Sequence, residues 1–215
     1  MIKTLFVRPS HDDVTYYLYY YSKELLDLSN SKGYTTINKE KGDANQYTIT
    51  TVIKKNDPRF IMFNGHGNPT LICGHNDEII IQYGKNHNLL KNRIIYSLSC
   101  SSAAELGRNV ADNKTTFIGY VDEFALGMDV DCQASIHRDK RAKLFLEPSN
   151  LLVSALLKGN SAIDAVNKAK KLMKDNISKL RTDTSPDAKD YIPYLFNNYI
   201  VLEIFGDSNA KLNSS

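Results

Sequence analysis

Three features of the sequence predict an α/β layer structure on a mainly parallel sheet. Short runs rich in β-branched and aromatic residues recur at residues 3–8, 59–63, 93–98 and 115–120. These runs are almost continuously apolar, as strands covered on both faces are. Between and after them lie longer stretches with apolar residues three and four apart, the spacing of helices packed on a sheet.

The elements follow in order. The run 3–8 is closed by Pro9 and reads as a buried first strand. Asp12 or Asp13 caps a helix over 12–28, on which Val14, Leu18, Tyr21, Leu25 and Leu28 form one stripe. Gly33 ends it, and 34–38 is a second strand. Residues 43–55 fit either strand or helix; Asp57-Pro58 stopping the segment before the next strand favours helix. A polar hairpin pairs 70–73 with 78–81. Strand 93–98 leads into a helix at 103–111, and 115–120 is the fifth strand. A loop-rich stretch follows over 122–147. Pro148 then opens two helices that break near Gly159-Asn160, with Ser161 capping the second. A polar linker at 182–188 and a last strand at 198–205 complete a single domain, 1–215.

Composition narrows the function classes. With 215 residues, 42% hydrophobic and 24% charged, the chain is an ordinary globular domain. Its formal charge of +3 gives no nucleic-acid footprint. No apolar run approaches the roughly 20 residues of a membrane helix, and the N-terminal run is too short for a secretory segment. Three cysteines, Cys73, Cys100 and Cys132, cannot all pair within the chain, so a reducing cytoplasm is expected.

Two strand ends carry the chemistry. One strand runs into Asn64-Gly65-His66-Gly67-Asn68-Pro69, the other into Ser99-Cys100-Ser101-Ser102. In an open parallel sheet, ligands bind beyond the carboxyl ends of strands, so both loops face one crevice if their strands are neighbours. An imidazole beside a thiol is the minimal pair for covalent acyl transfer. The N–H groups of Gly67 and Cys100 are the expected oxyanion donors, and a helix after Ala103 would favour the thiolate. Singly, each residue has a bland reading: a buried cysteine and a surface histidine.

At these residues the sequence resembles the caspase-like cysteine peptidases of clan CD, which include caspases, gingipains, clostripain and CHAT domains. The matching motifs are Phe60-Ile-Met-Phe-Asn-Gly-His66-Gly67 and Ile94-Ile-Tyr-Ser-Leu-Ser-Cys100-Ser-Ser-Ala-Ala. The ending Tyr199-Ile-Val-Leu-Glu-Ile-Phe-Gly206-Asp207-Ser208 is similar to the closing strand of gingipains and CHAT domains, with Ser208 where those have proline. The resemblance implies a three-layer α/β/α sandwich, His66 as general acid/base, Cys100 as nucleophile and Gly67 N–H as an oxyanion donor. It names no third carboxylate.

Family members read the side chain before the scissile bond. A pocket acid would select Arg or Lys, and two pairs are placed for it: Asp12-Asp13 after the first strand and Asp122-Glu123 after the strand following Cys100. Their bland readings are a helix cap and a solvated turn. Arg8, at a strand end, argues instead for an acidic substrate residue. The basic cluster His137-Arg-Asp-Lys-Arg-Ala-Lys143 lies in a candidate processing loop, 131–147, and self-cleavage there competes with a merely solvated charge cluster.

The expected activity is cysteine endopeptidase, acting on a protein or peptide and activated by a partner protein or by self-cleavage. The alternative is a catalytically silent interaction module. A glutaminase fits less well, because His66 precedes Cys100. No cofactor, membrane or nucleic-acid partner is expected. No metal site is expected either: Cys73, His75 and His87 lack a second paired motif, and no calcium loop is present. The tyrosines at 16, 17 and 19–21 point around a helix, part core and part surface. The lysines of the helix after Ser161 form a solvated face.

Overall fold

The computed structural model describes residues 1–212, without the side chains of Val130, Gln133 and Ala134; the expected domain end at Ser215 lies outside that range. Its strands are β1 (Lys3–Arg8), β2 (Thr35–Glu40), β3 (Phe60–Asn64), β4 (Gly67–Asn68), β5 (Leu71–Cys73), β6 (Ile79–Gln82), β7 (Ile94–Leu98), β8 (Thr116–Tyr120) and β9 (Leu202–Phe205). The central sheet has the order β2-β1-β3-β7-β8-β9. All its pairs are parallel except β8 with β9. The small antiparallel sheet β4-β5-β6 contains the expected hairpin and adds one strand to it.

The helices are α1 (Asp13–Tyr21), α2 (Lys23–Ser31), α3 (Gln46–Asn56), α4 (Arg108–Val110), α5 (Lys140–Leu157), α6 (Ala162–Thr182) and α7 (Ile192–Val201). Alternate residues of each central strand feed two separate cores. Phe6, Phe60, Met62, Tyr96 and Ile118 pack with α1, α2, α5 and α6. Leu5, Val7, Ile61, Phe63, Ile95 and Phe117 pack with α3, the small sheet and Leu106. That division is the three-layer α/β/α sandwich: a period-two strand with both faces apolar must be covered twice.

The ambiguous 43–55 segment is helical. Asn45 caps α3 by accepting from Thr48 N–H at 2.9 Å, and Asp57, at φ +46°, ends it. The helix expected over 12–28 is broken at Ser22, whose hydroxyl donates to Leu18 O at 2.7 Å and accepts from Arg8 Nε at 2.9 Å. Tyr17 is buried, while Tyr16 and Tyr20 are exposed.

Three expectations need correction. The stretch read as loop to Glu147 is helical from Lys140, because Asp139 caps α5 through the N–H groups of Arg141 and Ala142 at 2.9 and 2.8 Å. Pro148 lies inside α5 rather than opening it. Proline leaves the carbonyl one turn back without its donor, and buried Asn176 of α6 replaces that donor at Leu144 O, 2.9 Å away. The last strand is Leu202–Phe205 only; residues 198–201 belong to α7. Leu195, Asn198 and Val201 are its buried stripe, and Asn198 exchanges two hydrogen bonds with the Ala125 backbone.

Candidate active site

Strands β3 and β7 are parallel neighbours, with Asn64 opposite Leu98, so the loops bearing His66 and Cys100 leave the same edge of the sheet. Three contacts knit these loops together. Gly65 N–H donates to Leu98 O at 3.3 Å. Gly67 lies so close to the other loop that a Cβ there would stand 3.0 Å from Ser99 Cβ. Leu106 N–H donates to Pro69 O at 2.8 Å.

Gly65 adopts φ +140° where a Cβ would meet Cys73 O at 2.9 Å, so only glycine suits the turn that delivers His66. Cys73 N–H donates to His66 O at 2.9 Å, which makes His66–Cys73 the hydrogen-bonded pair of the small sheet. The next pair, Gly67 with Ile72, is then of the non-bonded kind, and Gly67 N–H turns away from β5 toward the free edge of β4.

The Cys100 turn is fixed from beneath. The buried hydroxyls of Ser97, Ser99 and Ser102 form a closed triangle at 2.7, 2.9 and 3.0 Å. Ser101 takes a left-handed φ of +55°, and its N–H reaches Asp122 O at 2.9 Å. The helix expected at 103–111 starts instead as a π-turn, Ala103–Gly107, followed by the single turn α4. Pro69 O takes the Leu106 amide out of the helical ladder, and Gly107 N–H bonds Ser102 O at 3.0 Å. So short a helix supplies little field, and the expected help for a thiolate fails. Burial, joined by the charges of Glu123 and Asp122, pushes the Cys100 thiol up, while the main chain of Phe124 and of Cys100 itself opposes this.

The half-exposed His66 is held by Asp12: Nε2 lies 2.6 Å from Oδ2. The other oxygen of Asp12, Oδ1, caps α1. It accepts from Thr15 N–H and from the Thr15 hydroxyl, both at 2.7 Å, and Thr15 Oγ1 accepts from Asp12 N–H at 3.1 Å. Burial works against the charge of Asp12, but the hydrogen bonds from His66 and Thr15 outweigh it and bring the carboxyl down to about 2. Cys100 Sγ points toward Phe124 O at 3.8 Å; among the described residues no direct hydrogen bond joins it to His66.

The other candidate residues separate. Asp13 opens α1 on an exposed position. Asp122 and Glu123 are exposed, and their backbone runs beside the Cys100 turn. Arg8, weighed as a substrate contact, is buried and spends its guanidinium on Ser22, Glu40 at 3.0 Å and Tyr19 O. His87 Nδ1 accepts from Gly84 N–H at 3.1 Å. No metal site was expected, yet the structure gathers ligand atoms of His11, Asp12 and His66 within 4.8 Å of one another. His11 was missed; its position directly before Asp12, at the end of β1, is the signal that could have found it.

The sequence matches no protein-family model, and no curated protein matches it. By structure the chain is similar to the Arg-specific cysteine proteinase gingipain R (RgpB), with a TM-score of 0.59 and 11% identity, covering 96% of this chain and 46% of that one. It is likewise similar to a chain in the complex of the Porphyromonas gingivalis RgpB pro- and mature domains, with a TM-score of 0.61 and 11% identity over 96% of this chain and 47% of that one. It thus spans about half the length of either structure. Among the described residues, no helix is long and apolar enough to cross a membrane. The mostly parallel six-stranded sheet, its two helical layers and this likeness give the chain the α/β/α fold of the caspase-like cysteine peptidases.

Proposed function

We propose that the chain is a cysteine endopeptidase with Cys100 as nucleophile and His66 as general acid/base. The observation that carries this reading is the knitting of the two loops at the ends of β3 and β7, with Gly67 packed against Ser99. The imidazole takes the thiol proton, and the thiolate attacks the peptide carbonyl. The N–H groups of Gly67 and Cys100 stabilise the tetrahedral oxyanion. The imidazolium then protonates the departing amine, and water, deprotonated by the imidazole, hydrolyses the thioester. Asp12 keeps the ring oriented and offsets its positive charge, the part an orienting carboxylate plays beside a catalytic histidine.

Asp122 and Glu123 are the favoured acids for a substrate Arg or Lys, since Asp12 is committed to His66 and Arg8 to the fold. A bound cation beside Cys100 would also relieve the charge that holds its thiol up, so substrate and nucleophile activation support one another. Within 131–147, the residues from Lys140 are helical and Arg141 is tied to Asp183 and Asp187 at 3.0 and 2.9 Å. Arg138, exposed just before the helix, is therefore the candidate self-cleavage position. Activation by a partner, a cytoplasmic setting and a single domain belong to the same proposal.

A silent interaction module is the second reading, supported by Cys100 Sγ pointing to Phe124 O rather than to His66. A positional-scanning fluorogenic peptide library on wild type and Cys100→Ala, with and without calcium, separates the two. Cleavage after Arg or Lys by wild type alone supports the peptidase; no cleavage of any peptide sinks it.

A further inference from the structure

The His66–Asp12 pair has a neighbour that the peptidase chemistry does not use. His11 lies under the pair, its side chain only 9% exposed, with Nε2 at 3.8 Å from Asp12 Oδ2 and 3.4 Å from Asp77 Oδ1. Its ring packs edge-on to His66 and to His75, at centroid distances of 5.9 and 5.3 Å. Two of the four described buried side-chain polar atoms without a partner are here, His11 Nδ1 and His75 Nδ1. The His11 nitrogen turned toward the carboxylates of Asp12 and Asp77 is Nε2, so a ligand held beside the His66–Asp12 pair would meet that atom.

We propose that His11 Nε2, Asp12 Oδ2 and His66 Nε2 form a zinc site whose occupation switches the peptidase off. This rests on the reading of His66 as acid/base. Two imidazoles and one carboxylate with a fourth position open are a donor set zinc favours. Tetrahedral zinc with bonds of roughly 2.0–2.1 Å sets its ligand atoms about 3.3 Å apart. The observed separations from Asp12 Oδ2 are 2.6 and 3.8 Å, and the three residues each bring a ligand atom within 4.8 Å of the others. The two separations straddle that value. Zinc would take His11 Nε2 from its contact with Asp77. Zinc on His66 Nε2 would take the place of the Asp12 hydrogen bond and shift the ring proton to Nδ1, leaving the imidazole no lone pair for the thiol proton and no free orienting carboxylate. Cys100 is not a ligand, which separates this site from metal capture by the thiol.

The test is zinc titration against a chromophoric chelator, alongside visible spectra of the Co²⁺-loaded chain. One zinc should bind wild type and Cys100→Ala with the same affinity, and His11→Asn should weaken binding at least about tenfold. The Co²⁺ spectrum of the unmutated chain should show intense four-coordinate d–d bands without thiolate-to-metal charge transfer; it needs no variant to fold. Loss of zinc binding in Cys100→Ala, a thiolate band, or equal binding by a folded His11→Asn would overturn the site. With an active enzyme, one equivalent of zinc should abolish cleavage and chelator should restore it; activity unaffected by bound zinc would overturn the switch. Stoichiometric binding to Cys100→Ala with no cleavage by wild type would support the site while removing the peptidase reading.

Discussion

The carboxylate of Asp12 lies 2.6 Å from Nε2 of His66, 54 residues later in the chain, and the same carboxylate caps α1 through Thr15. The two jobs use different oxygens, so they separate by mutation. Asp12→Ser retains a capping oxygen and loses the hold on His66. Peptide cleavage should then fall by on the order of 100-fold from misoriented imidazole alone, with little change in thermal midpoint. Asp12→Ala should lose both, adding about 1 kcal/mol of destabilisation. Parallel melting curves and kcat/KM values check this. Full activity in Asp12→Ser would remove Asp12 from the positioning role.

Cys100 labelling should report the charge around it. The thiolate is the reactive form, and burial with Glu123 and Asp122 holds the thiol above its ordinary value. The iodoacetamide rate at Cys100 should therefore rise to a midpoint more alkaline than that of a free thiol. Replacing both acids, Asp122→Asn with Glu123→Gln, removes negative charge near the sulfur and favours the thiolate. The midpoint must move down, and labelling below it should speed up by roughly two- to fivefold. A midpoint that stays put or climbs contradicts the electrostatic account. The same double variant should raise KM for Arg and Lys peptides.

Much of this site was legible in the sequence because its parts are local. An apolar strand followed by Gly-His-Gly or Ser-Cys-Ser marks a strand end whatever the fold around it, and β3 and β7 begin and end within a residue of their expected limits. The Asp12–His66 contact was not legible, because it depends on β1 lying beside β3. Asp12 read as a helix cap, which it also is, or as a pocket acid, and neither reading pointed to His66. The π-turn after Cys100 depends on Pro69 O, a partner in another loop. The run Tyr199-Ile-Val-Leu has strand propensity, and burial of Leu195, Asn198 and Val201 at three-residue steps overrode it for most of its length.

Asp139 joins three parts of the fold at one buried carboxylate. It accepts from Tyr17 OH at 2.8 Å, from Asp129 N–H at 2.9 Å and from the first amides of α5. Asp139→Ala strips the cap and leaves the Tyr17 hydroxyl and three amides unpaired. A loss of about 3 kcal/mol is expected in urea unfolding, and Asp139→Asn should lose less because its carbonyl still accepts. A change under about 0.5 kcal/mol, the level of an ordinary surface substitution, would show that the groups find other partners.

Pro148 and Asn176 make a reciprocal pair that a double-mutant cycle can measure. With proline at 148, the Leu144 carbonyl has no donor within α5, and Asn176 Nδ2 on α6 supplies one at 2.9 Å. Asn176→Ala alone leaves that part-buried carbonyl without its protein donor, a penalty of about 1–3 kcal/mol. Pro148→Ala returns an N–H to the turn, so Leu144 O regains a helical partner whether or not Asn176 is present. In the Pro148→Ala background, Asn176→Ala should therefore cost about 1 kcal/mol less than in wild type, a coupling well above additivity error. Equal penalties in the two backgrounds would mean that the amide contributes through its contact with Lys179, 3.2 Å from Asn176 Oδ1, and that α5 tolerates its proline for some other reason.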